Sequence, residues 1–326
     1  MNTQSCIENG CSAVILPRYI EAATITKVVT CYRSVLLQGT VYVYDNDSSD
    51  GTAQLAEGAD AVVSREPRQG RGNVVRQMFR DIDADYYLMV DGDVTYPAEA
   101  ARSLCAPVLA GEADMAMGDR LSNGTYAAEI TRAFHGFGND LVCSMIKMIY
   151  GHLFDDVMTG YRAMSRPFVK TFPVMSEGFQ IETELSIHAV DRRWRVVDVP
   201  IGYRDRPEGS ESRLDTVGDG FKVICAIAGL FKNYRLLKFF SLLALINGII
   251  GLALGLSVVA ECFATGLVPR LPTAVLAVAF IFLCSLSLAT GPILNNVAKT
   301  ECKVWELEVH RVYRKSQDLY GRDIRA

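Results

Sequence analysis

Two stretches without a charged residue, 239–260 and 271–298, restrict this chain more than any other feature. At 1.5 Å per residue the first makes roughly 33 Å of helix, enough to cross a bilayer core. The turn between them is short and holds Glu261, Pro269 and Arg270, with Pro272 just after. This pattern predicts a helical hairpin that crosses a membrane twice; a pair of buried core helices in a soluble protein is the other reading. Basic residues set the expected orientation. Lys232, Arg235 and Lys238 precede the first run, and Lys299, Lys303, Arg311, Arg314 and Lys315 follow the second. The positive-inside bias then puts both termini in the cytoplasm. Gly251 and Gly255 stand in a GxxxG spacing near Gly248. That spacing suits close packing within the hairpin or between two copies of the chain, as in a homo-oligomer.

Half of the 326 residues are hydrophobic, and the apolar excess is concentrated after position 239. The net charge of −4 offers no basic face, so no nucleic-acid partner is expected. Nine cysteines include no CxxC pair. Free thiols in a reducing compartment are expected, rather than a disulfide framework or a zinc site. The first residues show no basic segment followed by an apolar core, so no signal peptide is expected and the part before the hairpin is expected to stay cytoplasmic. The organisation read from these signals is a catalytic domain over 1–212, a juxtamembrane segment over 213–238, two transmembrane helices over 239–298 and a cytoplasmic tail over 299–326. Phe221, Ile224, Cys225, Ala228 and Phe231 recur at helical spacing in the juxtamembrane segment. They suit an amphipathic helix on the membrane surface, or equally one packed on the catalytic domain.

Up to residue 200, short apolar runs alternate with helical patterns. Strands are expected at 13–16, 41–44, 61–63, 86–90 and 115–117, and helices at 22–37, 52–57, 74–82 and 98–109. Such alternation argues for an α/β domain with a mostly parallel sheet, whose ligands bind beyond the carboxyl ends of the strands. Polar clusters fall at those ends.

Asp91-Gly92-Asp93 follows an apolar strand. Two carboxylates one residue apart suit a hard cation such as Mg2+ or Mn2+ bridging a diphosphate, although for the pair alone a solvated turn is the favoured reading. Asp45 and Asp47 end another strand, where acceptor oxygens suit a base or a ribose; Ser49 to Thr52 behind them read as helix caps. In Arg65-Glu66-Pro67-Arg68-Gln69-Gly70-Arg71-Gly72-Asn73, two glycines and three arginines precede a helix. This composition suits an anion at a helix start, or a flexible basic turn.

In this order the stretches resemble family 2 glycosyltransferases of the GT-A fold, and most of all the dolichyl- and polyprenyl-phosphate hexose synthases. The similar stretches are Leu16 to Glu21, Asp45 to Thr52, Gly70-Arg71-Gly72, Asp91-Gly92-Asp93, Gly118-Asp119-Arg120, Asp156 to Arg162, and Val199-Pro200 through Arg206 to Ser210. The resemblance implies a nucleotide-sugar donor held by Pro17, Tyr19, Glu21, Asp45, Asp47, Arg71, Asp91, Gly92, Asp93 and Arg120. It implies Mg2+ or Mn2+ on Asp91 and Asp93, and catalytic roles for Asp93, Asp156 and Arg206. A polyprenyl-phosphate acceptor would meet Arg132, Arg206 and Arg213, and Glu182 or Glu184 would face the sugar unless that helix is a solvated acidic face. The implied reaction is inverting hexosyl transfer to the lipid phosphate. A transferase acting on a hydroxyl of a lipid-linked saccharide, or a non-catalytic membrane scaffold of the same fold, is the alternative. The sequence departs from the family pattern at Arg18 and Ile20, where Thr and Asn are usual, at Thr95 in the third metal-site position, and at Gly209 to Arg213.

Overall fold

The computed structural model describes residues 12–36, 39–92, 94–120, 143–144, 146–147, 151, 154, 156–178, 180–202, 236–268 and 270–320. The chain forms two compact units, Met1–Val223 with Val309–Ala326, and Ile224–Glu308.

The first unit is built on a seven-stranded sheet. Its strands are β1 (Ser12–Arg18), β2 (Thr40–Asp45), β3 (Val62–Arg65), β4 (Tyr86–Met89), β5 (Met115–Asp119), β6 (Arg162–Ser165) and β7 (Val196–Pro200), in the order β3-β2-β1-β4-β6-β5-β7. All neighbours are parallel except β6, which runs antiparallel to both β4 and β5. β1 lies between β2 and β4 and is buried from Ala13 onward. A near-continuous apolar run is what a parallel strand covered on both faces requires. The helices are α1 (Ile25–Val35), α2 (Thr52–Gly58), α3 (Arg71–Asp81), α4 (Ala101–Leu109), α5 (Arg166–Thr171) and α6 (Ile181–Asp191). α1 buries Ile25, Val28, Val29 and Tyr32, the i, i+3, i+4, i+7 stripe of a helix lying on a sheet. Leu16, Leu88 and Leu104 meet this stripe in the core, each burial contributing about 1.5–3 kcal/mol.

All five expected strands and four expected helices are present with small changes of boundary; the last of these helices opens as a 3-10 turn at Ala98–Ala100. β6 and β7 were not expected. β6 is four residues long and begins on a charged residue, so neither length nor alternation marks it. Its place depends on Met89 and Met117, both opposite Arg162 in the register.

The second unit contains α7 (Leu236–Thr265) and, as far as Glu308, α8 (Leu271–Tyr320), which runs well past the apolar stretch that ends at 298. Both helices are long and apolar enough to cross a membrane. Leu252, Leu256, Phe263, Val278, Phe282 and Leu288 are exposed along them. In water that exposure costs about 25 cal/mol per Å2 of apolar surface; a hydrocarbon surround removes the cost. At their junction Arg270 pairs with Glu261 at 3.1 Å. A Cβ on Gly251 would stand 3.0 Å from the Ile281 side chain, one on Gly248 3.2 Å from Cys284 Sγ, and one on Gly255 3.9 Å from Ala277. The glycine stripe thus lets α7 approach α8 within one chain.

Candidate active site

The carboxyl ends of β1, β2 and β4 bring the polar clusters together. Arg18 and Asp45 are opposite each other in the β1–β2 register, and the Asn46 N–H donates to the Arg18 carbonyl at 2.7 Å. The following loop is stitched from the side. Ile20, Glu21 and Ala22 donate their backbone N–H groups to Ser48 Oγ, Thr52 Oγ1 and Asp50 Oδ2 at 2.8–3.0 Å. Ser49 to Thr52 were expected to cap α2. Gly51 holds the cap position with φ 83°, the Asp50 carboxylate accepts the N–H of Thr52 at 3.1 Å at the helix start, and Asp50 and Thr52 also bind the neighbouring loop. Asp45 is buried; one carboxylate oxygen accepts the Ser48 N–H at 3.0 Å, and the other makes no hydrogen bond among the described residues. Pro17 is buried in β1, Tyr19 is exposed, and the Glu21 carboxylate accepts from Thr24. Asp47 pairs with the exposed Arg65 at the periphery.

In the glycine-arginine stretch the glycine N–H groups are turned to protein partners. Gly70 N–H donates to Asn46 Oδ1 and Gly72 N–H to the Glu177 carbonyl, so these donors are already used. A side chain on either glycine would overlap the backbone of Ser176 and Glu177. Arg68 pairs with Glu66, and Arg65 with Asp47. Arg71 turns inward. Its Nη2 lies 2.5 Å from Asp91 Oδ1 and its Nε 2.6 Å from Glu182 Oε1, contacts of charge that are not aligned as hydrogen bonds.

Asp91 is the centre of this arrangement. Burial opposes its charge, but Arg71, Arg18 and Arg120 more than offset that and hold its carboxyl below the usual range. Its side chain is 23% exposed. An ionised, partly open carboxylate at a strand end is a hard oxygen donor of the kind Mg2+ or Mn2+ takes, so the residue present fits such an ion. A side chain at Gly160 would overlap the Asp91 carboxylate, and one at Gly92 the Arg18 guanidinium. The turn is fixed on both sides: Arg18 Nη2 donates to the Val90 carbonyl at 3.1 Å and Thr24 Oγ1 to the Gly92 carbonyl at 2.6 Å.

Glu182 and Glu184 on α6 are both buried, so this helix is no solvated acidic face. Their work differs. Glu184 accepts from the N–H groups of Met175 and Ser176 and from Ser176 Oγ, holding the segment on which Gly70 and Gly72 pack. Glu182 faces Arg71; burial raises its carboxyl above the usual range although Arg71 opposes this.

Asp156 is 1% exposed and fully engaged. Arg120 donates to it twice, at 2.5 and 2.9 Å, and the Met158 N–H adds a bond at 3.2 Å. Arg162, wholly buried, ties down the same loop by donating to the carbonyls of Thr159 and Val157. Burial pushes its guanidinium down to about 10, against the pull of Glu182 and Asp156. The Gly160 N–H donates to the buried Tyr96 hydroxyl at 3.1 Å. Asp93, Arg132, Arg206 and Arg213 lie outside the described residues.

Residues 13–172 match the family described as glycosyl transferase family 2. Glycosyltransferase AglJ of Haloferax volcanii is 35% identical over 249 residues, 76% of this chain and 81% of that protein. The chain belongs to glycosyl transferase family 2. A dolichyl-phosphate hexose transferase of the same organism is 27% identical over 224 residues, 69% of this chain and 95% of that one. Among solved structures, glucosyl-3-phosphoglycerate synthase from Mycobacterium tuberculosis, in complex with Mn2+, UDP and phosphoglyceric acid, superposes with a TM-score of 0.58. It is 21% identical, covering 70% of this chain and 80% of that one, and it shows the shared GT-A-like fold.

In this glycosyl transferase, three residues near the cluster had been given no role from the sequence. Arg18 and Arg162 stood inside the motifs, Arg18 only as a departure. Both are long cations whose destination depends on strands distant in sequence. Tyr96 had no local signal at all.

Proposed function

We propose that this glycosyl transferase moves a hexose, with inversion, from a UDP- or GDP-sugar to a polyprenyl phosphate at the cytoplasmic membrane face. The observation that carries the reading is the Asp91 cluster: an ionised carboxylate set among Arg71, Arg18 and Arg120 at the carboxyl edge of the sheet. Its chain also carries two long apolar helices, and a relative bears the name dolichyl-phosphate hexose transferase. The structural neighbour holds Mn2+ and UDP.

In this reading Pro17, Tyr19, Glu21 and Asp47 line the base and ribose, and the open Asp45 oxygen accepts a donor from one of them. Asp91 and Asp93 hold Mg2+ or Mn2+, which when bound would offset the charge growing on the diphosphate. Arg71, poised between Asp91 and Glu182, turns its guanidinium to a phosphate oxygen, as does Arg120. The acceptor phosphate oxygen forms the new bond to the anomeric carbon. The bond from that carbon to the diphosphate oxygen breaks, and its electron pair leaves with the nucleoside diphosphate. A phosphate monoester, with a second pKa near about 6, is mostly dianionic at neutral pH and requires no base. That agrees with an Asp156 whose oxygens are already taken by Arg120 and Met158. Arg132, Arg206 and Arg213 are assigned to the acceptor phosphate. The basic residues flanking the apolar runs support a domain on the cytoplasmic side, where the hairpin would keep it beside its lipid and raise the effective acceptor concentration.

The test is purified protein in detergent with polyprenyl phosphate, Mg2+ or Mn2+ and a panel of UDP- and GDP-sugars, beside Asp93→Ala. Mass spectrometry of an acid-labile sugar phospholipid from wild type alone supports the reading. A glycosidic product on a lipid-linked saccharide would replace it with the hydroxyl-acceptor reading. Protein that turns over no nucleotide sugar and binds neither nucleotide nor metal would be a scaffold.

A further inference from the structure

We infer that Arg18 is a positioning residue for the donor diphosphate: a fixed cation under the Asp91-Gly92 turn that weakens metal binding by the empty site and strengthens binding of the diphosphate. The inference rests on the proposed metal and nucleotide site and deepens it. Three observations carry it. Arg18 is 4% exposed, so its charge is held in a low-dielectric surround, where its reach exceeds that of a surface arginine. Its place is fixed at both ends. The backbone carbonyl accepts from Asn46 at the mouth of the Asp45 loop, and Nη2 donates to Val90 immediately before Asp91. Finally, the guanidinium fills the space that a side chain at Gly92 would need, so the charge lies directly against the turn between the two acids.

The physical consequence has two signs. A divalent ion arriving alone at Asp91 meets a cation that cannot swing away. A diphosphate arriving there meets the same cation as a partner. Arg18 therefore shifts the two affinities in opposite directions, against the ion alone and toward the diphosphate. A side chain that served only to pack the turn would, when removed, weaken both.

The experiment uses the full-length protein in detergent. Mn2+ binding without nucleotide is followed by electron paramagnetic resonance, and UDP and GDP binding without metal by calorimetry. Arg18→Met keeps reach and loses charge; Arg18→Lys keeps charge. The expected result for Arg18→Met is Mn2+ bound about tenfold more tightly and the nucleotide about tenfold more weakly, with Arg18→Lys within about threefold of wild type on both. Should Arg18→Met fail to fold, Arg18→Gln, which keeps a donor for Val90, carries the same expectation. Weaker Mn2+ binding in the neutral variants, or loss of both ligands in Arg18→Lys, overturns the inference and leaves Arg18 as packing. Wild type that binds neither Mn2+ nor nucleotide overturns instead the site on which it rests.

Discussion

Asp91 and Asp156 are both acids in loops beside the middle of one sheet, and both meet arginine, yet they are held in opposite ways. Asp156 is closed off at 1% exposure, with three hydrogen bonds from Arg120 and Met158. Asp91 is 23% exposed, and its Oδ1 touches Arg71 without forming an aligned hydrogen bond. An acid whose oxygens are all used fixes a loop and an arginine. One kept ionised by surrounding cations, with lone pairs still open, is equipped to meet a ligand.

The sharpest way to break this contrast is to neutralise each acid. Asp91→Asn is expected to lower kcat/KM by roughly 10²–10³-fold with little change in unfolding midpoint, because Arg71 keeps Glu182 as its counter-ion. Activity close to wild type would show that the open carboxylate is idle. Asp156→Ala is expected to act on the fold instead. It removes the carboxylate that accepts two hydrogen bonds from the largely buried Arg120, which costs about 3–5 kcal/mol in urea unfolding. If Asp156→Asn stopped turnover while leaving that unfolding curve unmoved, Asp156 would be a reacting group and the contrast would fail.

A smaller effect sharpens the Asp91 side. Gly92→Ala puts a methyl where the Arg18 guanidinium lies, so it is expected to destabilise the protein by about 1–3 kcal/mol and to loosen nucleotide binding. Arg18→Thr in the same chain vacates that space and should return most of the stability. No recovery in the double variant would mean that Gly92 is needed for its backbone and not for the room it leaves.

The carboxyl edge of the sheet at β1, β2 and β4 was legible because its signals are local. β1, β2 and β4 are apolar runs, and the acids follow at their ends, so Asp45 and Asp91 could be placed by counting along the chain. Much of the rest depends on contacts between distant segments. The stretch with Gly70 and Gly72 suited an anion at a helix start or a flexible basic turn, but these glycines make room for the backbone at Ser176 and Glu177, about a hundred residues on. Glu182 and Glu184 looked alike on one helix, and only the packing of α6 separates the one that holds a loop from the one that faces Arg71. Arg162 closes a motif without a role of its own in the sequence and is wholly buried, because the strands beside it enclose it.

The smallest expected effect is the pH dependence of Glu182, and it tests how loosely the Asp91 side is held. Burial raises its folded-state carboxyl above the unfolded value of 4.5; Arg71 offsets part of this and Asp91 adds to it. The folded protein therefore holds this proton more tightly than the unfolded chain, and ionising Glu182 costs stability. That cost is absent below about 4.5 and is complete once the pH exceeds the raised value. Glu182→Gln mimics the protonated acid. Its unfolding midpoint should exceed that of wild type by roughly 2 °C at pH 8, with the gain fading toward pH 4. A gain that persisted at pH 4 would come from packing and not from charge. A loss at pH 8 would mean that Arg71 needs both acids, and that the Asp91 side is clamped as firmly as Asp156, with Arg71 unable to turn to a phosphate without first breaking a stabilising pair.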